Sequence, residues 1–348
     1  MDPSLTLPPS LVGIITPSTA HALSFLFTSS YVGSLYISQK FLSTSTPTPK
    51  SSRPITPKED GNSPAIPPIS STDVDDVEIR YENGPKPGSR DHPETIKKRM
   101  IAVTISTVLS LSGVHLTINH LSHPSNRIGT ELRQSLTLLG LRLPTLKSSA
   151  ISNVLPWTLA PILMTGPLVS MYLDGDLPIV GGRHYNESIV QRLKRGWREF
   201  GLIEFRNYGV GPITEELVFR STILAVSILG GLTFRSLVFG TPLWFGIAHA
   251  HHALETYRKN GSTRDAAIHA ILGCLFQLGY TTLFGWFASY LFLTTGSVIP
   301  PLSSHVFCNI MGIYLPSTAI ARHPKKKILI WTSYLAGIAG FVWGVRRL

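Results

Sequence analysis

Only two cysteines, Cys274 and Cys308, occur in the sequence, both inside apolar stretches, so a disulfide scaffold is excluded. Charge is scarce as well, at 15% of 348 residues, too little for an ordinary soluble domain. No Lys or Arg precedes Lys40, so a secretory signal is not expected in the first apolar segment. Internal repeats of the kind that build many transporters are not evident. Short apolar strands of four to eight residues, which a TIM barrel or Rossmann domain would show, are also missing.

What is present is apolar residues at 43%, a mean hydropathy of +0.18, and blocks of about twenty apolar residues, the length that crosses a bilayer. Candidate spans fall near 18–39, 100–122, 150–173, 213–232, 234–253, 266–293, 298–318 and 328–345. The expected fold is an all-α polytopic membrane protein, about eight transmembrane helices in a bundle around a polar cavity open to the cytosolic side. A bend in the sixth span is expected near Gly279 or Gly285. The net charge of +11 does not indicate a nucleic-acid partner, because the cations sit mostly between the apolar blocks. The short loops 254–265 and 319–327 carry seven Lys and Arg against one, Arg235, at the turn between the fourth and fifth spans. The positive-inside rule then places those loops in the cytosol and both termini on the far side.

Three units are expected: an N-terminal transmembrane segment over 1–42, a disordered Pro/Ser-rich cytosolic insert over 43–95, and a membrane-embedded catalytic domain over 96–348. The insert's proline, serine and charge content cannot bury enough surface to order itself.

Ionisable residues at membrane depth are functional candidates, since each costs at least about 2.5 to 3.5 kcal/mol to insert. One group opens the fourth span: Glu215, Glu216 and Arg220. Helical spacing pairs Glu216 with Arg220, four residues on, and turns Glu215 about 100° away. Two carboxylates and one guanidinium leave one carboxylate free to act. A second group, Phe245 to His249 and on to His251 and His252, ends the fifth span; Phe245 shapes the pocket and His252, near the interface, is a candidate substrate contact. His305 and Asn309 share one stripe of the seventh span. His269 and Gln277 share a face of the sixth, where an interhelical hydrogen bond is the favoured reading. Glu215 and His249 are expected within roughly 5 to 10 Å of the cytosolic face, with His305 deeper.

Glutamate, two histidines and an asparagine without an obvious Ser or Cys nucleophile suggest activation of water. Glu215 would take the proton, His249 would hold the water or protonate the leaving amine, and Asn309 with His305 would stabilise an oxyanion. Zinc is the rival, since two His and a Glu are acceptable ligands; the HExxH helix of zinc proteases is missing, and the metal-free version is favoured. A proton or ion transporter using the same charges, and a non-catalytic scaffold, remain as alternatives.

Glu-Glu-x-x-x-Arg at 215–220, Phe-x-x-x-His at 245–249 and His-x-x-x-Asn at 305–309, in this order on successive apolar helices, resemble the type 2 CAAX prenyl proteases, the Ras-converting endopeptidases. The resemblance is firm over about 200–320. It implies a glutamate-type, cofactor-free intramembrane protease of the endoplasmic reticulum with its site facing the cytosol. Its implied partners are membrane lipid and the prenylated C-terminal CAAX peptides of small GTPases and similar proteins, from which it removes the last three residues. By position, Glu215 is the implied base, Glu216 and Arg220 support it, His249 assists with water, and His305 and Asn309 complete the site.

Overall fold

The computed structural model describes residues 11–41, 89–121, 128–144, 146–147, 149–177, 188–249 and 251–348. Most of the expected insert lies outside the described residues, and the helix that follows it begins at Pro93, inside the expected boundary at 95. No strand occurs among the described residues.

Helix α1 (Pro17–Phe41) packs along α2 (Pro93–Leu121), where the Ser30 and Ser106 hydroxyls meet at 2.9 Å. After α3 (Ile128–Leu138) come α4 (Ala150–Leu163) and α5 (Thr165–Asp174), which bend by 52° at Met164. Pro161 and Pro167 flank the break, and each removes a backbone donor and crowds the preceding turn. A short surface helix, α6 (Ile189–Glu199), precedes α7, a continuous helical stretch over 202–229. Two wide π-type turns, Arg206–Val210 and Leu217–Thr222, interrupt its α-helical winding. Such turns concentrate at functional sites because they re-aim the side chains beside them.

Next come α8 (Ser236–Gly240 continuing as Pro242–Ala248), α9 (His251–Lys259) and α10 (Arg264–Thr295). The sixth apolar segment forms one 32-residue helix, unbroken at Gly279 and Gly285. Helix α11 (Ile299–Met311) is shorter than the segment expected over 298–318, because Gly312 adopts φ +61° and Pro316 follows to start α12 (Pro316–Arg322). The last helix, α13 (Lys327–Val345), crosses α4 and α5 closely. A side chain at Gly337 would meet the carbonyl oxygens of Ile162 and Leu163 at 2.9 Å, so only glycine permits that approach.

Among the described residues, three helices are long and apolar enough to cross a membrane: Pro93–Leu121, Arg264–Thr295 and Pro324–Val345. The bent α4–α5 pair makes a fourth if it is one span. Large apolar side chains on their outer faces, such as Leu109, Leu272 and Leu335, are exposed, as a lipid-facing surface requires. The chain is a helical membrane protein. Its main apolar core joins α1, α2, α7 and α8, with Phe292, Leu293 and Val298 closing it from α10 and the turn before α11.

Candidate active site

The site is built on α7 at its second wide turn. Glu216 and Arg220 face each other as the four-residue spacing demands, Oε2 to Nε 3.3 Å, both side chains almost wholly buried. The guanidinium also lies 4.3 Å from the centre of the Phe245 ring and 5.5 Å from that of Phe284. Its terminal nitrogens find no hydrogen-bond acceptor among the described residues, so the carboxylate and the two aromatic faces balance its charge. Helix α10 comes close enough to contribute Phe284 because of Gly285. A Cβ there would lie 2.6 Å from Pro242 and 3.6 Å from Arg220 Nη2.

Glu216 has a second partner. His305 Nδ1 donates to its Oε1 at 2.7 Å, across the boundary between α7 and α11. The other ring nitrogen, Nε2, stands 3.6 Å from Glu215 Oε2. His305 thus bridges the two adjacent carboxylates, one fully buried and one 24% exposed toward the cavity. The ring is wedged between Phe284, at 5.0 Å, and Phe245, at 6.3 Å. His305 therefore sits beside Glu215, a neighbour that its spacing to Asn309 along α11 does not reveal.

His249 closes α8. Its Nδ1 lies 2.7 Å from the carbonyl oxygen of Phe245, which can only accept, so Nδ1 carries a proton. In the neutral ring that leaves Nε2 as an acceptor. Phe245, only 2% exposed, is the packing centre of the site: it meets His249 at 4.5 Å and Phe219 at 5.0 Å and lies under Arg220. Asn309, one turn beyond His305, donates through Nδ2 to the Asn207 carbonyl at 2.9 Å, which fixes its carboxamide against the first wide turn of α7.

Glu215, His249, His305 and Asn309 all line one cavity of about 1180 Å³, together with Phe245, Tyr31, Asn207 and Gln277. Three separate helices therefore deliver a carboxylate, two imidazoles and a carboxamide to the same space. The side chains of His251 and His252 lie outside the described residues. His269 does not make the expected interhelical bond: its Nδ1 reaches the Asp265 carbonyl of its own helix at 2.9 Å and the residue is exposed. Gln277 does face the cavity.

Several contributors carry no sequence signal. Tyr31, on α1, places its hydroxyl 3.0 Å from Thr214 Oγ1 and its ring 5.8 Å from Phe219, tying the first helix to the turn that bears Glu215. Phe284 and Asn207 act through inter-helix contacts that no spacing along one helix reveals. A cationic group at one side of the cavity, Arg90, Arg99 and Arg206, comes from the ends of different elements.

Residues 199–311, which contain every one of these motifs, match the family described as type II CAAX prenyl endopeptidase Rce1-like. CAAX prenyl protease 2 of Homo sapiens is 34% identical over 264 residues, covering 73% of this chain and 71% of that protein. The Caenorhabditis elegans protein of the same name is 31% identical over 267 residues, covering 73% and 85%. That of Arabidopsis thaliana is 40% identical over 139 residues, covering 40% and 42%. No solved structure matches the chain. With the Homo sapiens and Caenorhabditis elegans relatives matched over more than two thirds of their length at 31% identity or more, and with the motif residues gathered around one cavity, the chain belongs to the type II CAAX prenyl endopeptidase family of proteases.

Proposed function

We propose that this protease cuts prenylated CAAX proteins after the prenylated cysteine and releases the C-terminal tripeptide by attack of a glutamate-activated water. The observation that carries the reading is the His305 bridge between Glu216 and Glu215 at the edge of the shared cavity. Glu215, the more exposed carboxylate, takes a proton from water as the oxygen attacks the scissile carbonyl. His249 Nε2 accepts the second water hydrogen and orients the attack. Asn309, its carboxamide held by Asn207, donates its remaining N–H to the developing oxyanion. When the carbon–nitrogen bond breaks, the proton on Glu215 passes to the leaving amine and the carboxylate is restored. Glu216, Arg220 and His305 hold this geometry.

Substrate chemistry fits the cavity walls. Phe234, Val238, Phe239, Leu283, Trp286 and Phe287 line the cavity and offer apolar surface suited to a prenyl chain. The proposed setting is the endoplasmic reticulum membrane, with eight spans and the cavity open to the cytosol. Support comes from the cation-rich loops at 254–265 and 319–327. A prenylated tail presents its cut bond just below the cytosolic headgroups.

The proposed reaction needs no metal. Glu216, the carboxylate beside the proposed base, is already engaged by Arg220 and His305 and so is not free to serve as a metal ligand. The test is mass spectrometry of tripeptide release by purified protein in detergent, from prenylated and unprenylated forms of one peptide, with and without a strong chelator. Release from the prenylated form alone, undiminished by chelation, is expected. Equal release from both forms contradicts the substrate, and loss with chelator that zinc restores contradicts the metal-free mechanism.

A further inference from the structure

A chain that ends three residues beyond the cut carries a free carboxylate at that end. The cavity's cationic group is placed to meet it. Two of the three arginines are already matched: Arg206 Nη1 lies 2.9 Å from Asp91 Oδ1, and Arg99 Nη2 lies 3.0 Å from Glu255 Oε1. The guanidinium of Arg90 lines the cavity and has neither an ion pair nor a hydrogen bond among the described residues, the nearby acids Asp91 and Glu255 being taken up by Arg206 and Arg99. Tyr280 of α10 and the proposed base Glu215 line the same cavity as Arg90.

Arg90 is also tied to the chemistry by a continuous chain of hydrogen bonds. Arg206 Nη1 donates to the Arg90 carbonyl at 3.1 Å, and its Nε donates to Asn207 Oδ1 at 2.9 Å. The Asn207 backbone carbonyl in turn accepts from Asn309 Nδ2 at 2.9 Å. The segment carrying Arg90 is thereby fixed relative to the residue assigned to the oxyanion. An extended tripeptide spans at most about 10 Å, so a cation lining the same cavity as the reacting groups can select substrates whose chain ends within that reach of the cut.

We propose that the Arg90 guanidinium receives the substrate's C-terminal carboxylate, with Arg206 as the positioning residue that ties it to Asn207 and Asn309. This rests on the protease reading above. A guanidinium matches a carboxylate with two parallel N–H donors, which a carboxamide cannot reproduce.

The test uses the full-length protein in detergent and two prenylated peptides identical except for a free acid or a carboxamide at the C-terminus. Wild type is expected to favour the acid by about 10- to 100-fold in kcat/KM, the loss of a charge-assisted pair. Arg90→Gln should bring the acid down to the rate of the amide, while Arg90→Lys keeps part of the preference. Equal cleavage of both peptides by wild type overturns the anchor alone. So does an Arg90→Gln protein that lowers both rates equally, because the cation then serves the fold or a lipid headgroup. Release from neither peptide by wild type overturns the protease reading, and the anchor with it.

Discussion

His305 Nδ1 and Glu216 Oε1 lie 2.7 Å apart although 89 residues separate them in the chain, and through this contact α11 is locked to α7 where the second carboxylate, Glu215, faces the cavity. The bond sets the ring so that its other nitrogen points at Glu215. His305→Ala should therefore act on turnover more than on binding. We expect kcat to fall about 100-fold, the scale of a small misplacement of reacting groups, with KM little changed. Steady-state kinetics on a prenylated peptide checks this, and a rise in KM at constant kcat would assign His305 to substrate contact.

Arg220 is a structural cation. It is buried between Glu216 and two aromatic faces, and removing it strands a buried carboxylate. Arg220→Ala should destabilise the fold by about 3 to 5 kcal/mol. Thermal unfolding in detergent should show a clear drop in Tm for this variant and none for Glu215→Gln, whose side chain borders the cavity. Equal effects would contradict the division of labour between the two glutamates.

Asn309 tests the oxyanion assignment. Asn309→Ala removes one donor and should lower kcat about 100- to 1000-fold, with the Tm close to wild type because the residue is exposed. Asn309→Asp, which replaces the donor with an acceptor, should be no better. An active aspartate variant would contradict the role.

Much of this site was legible in the sequence because helix geometry is stiff: Glu216 and Arg220, or His305 and Asn309, must share a face at a spacing of four. Which group each would meet on another helix was not legible. His305 meets the glutamates through inter-helix packing, a contact that its spacing to Asn309 does not show. Tyr31 and Phe284 carry no motif, and they enter only because α1 and α10 approach α7. Gly285 permits the contact of α10 with Pro242 and Arg220, a role that its place in one apolar segment does not reveal. The early end of the seventh apolar segment had a signal in Gly312 and Pro316, which its continuous hydropathy masked.

Glu215 is the group on which the mechanism turns, and the most direct measurement is tripeptide release from a prenylated CAAX peptide by wild type and Glu215→Gln, each purified and shown to be folded by its Tm. The glutamine is isosteric and keeps the packing but cannot take a proton, so kcat should fall about 100- to 10,000-fold. Release at the wild-type rate would contradict the account.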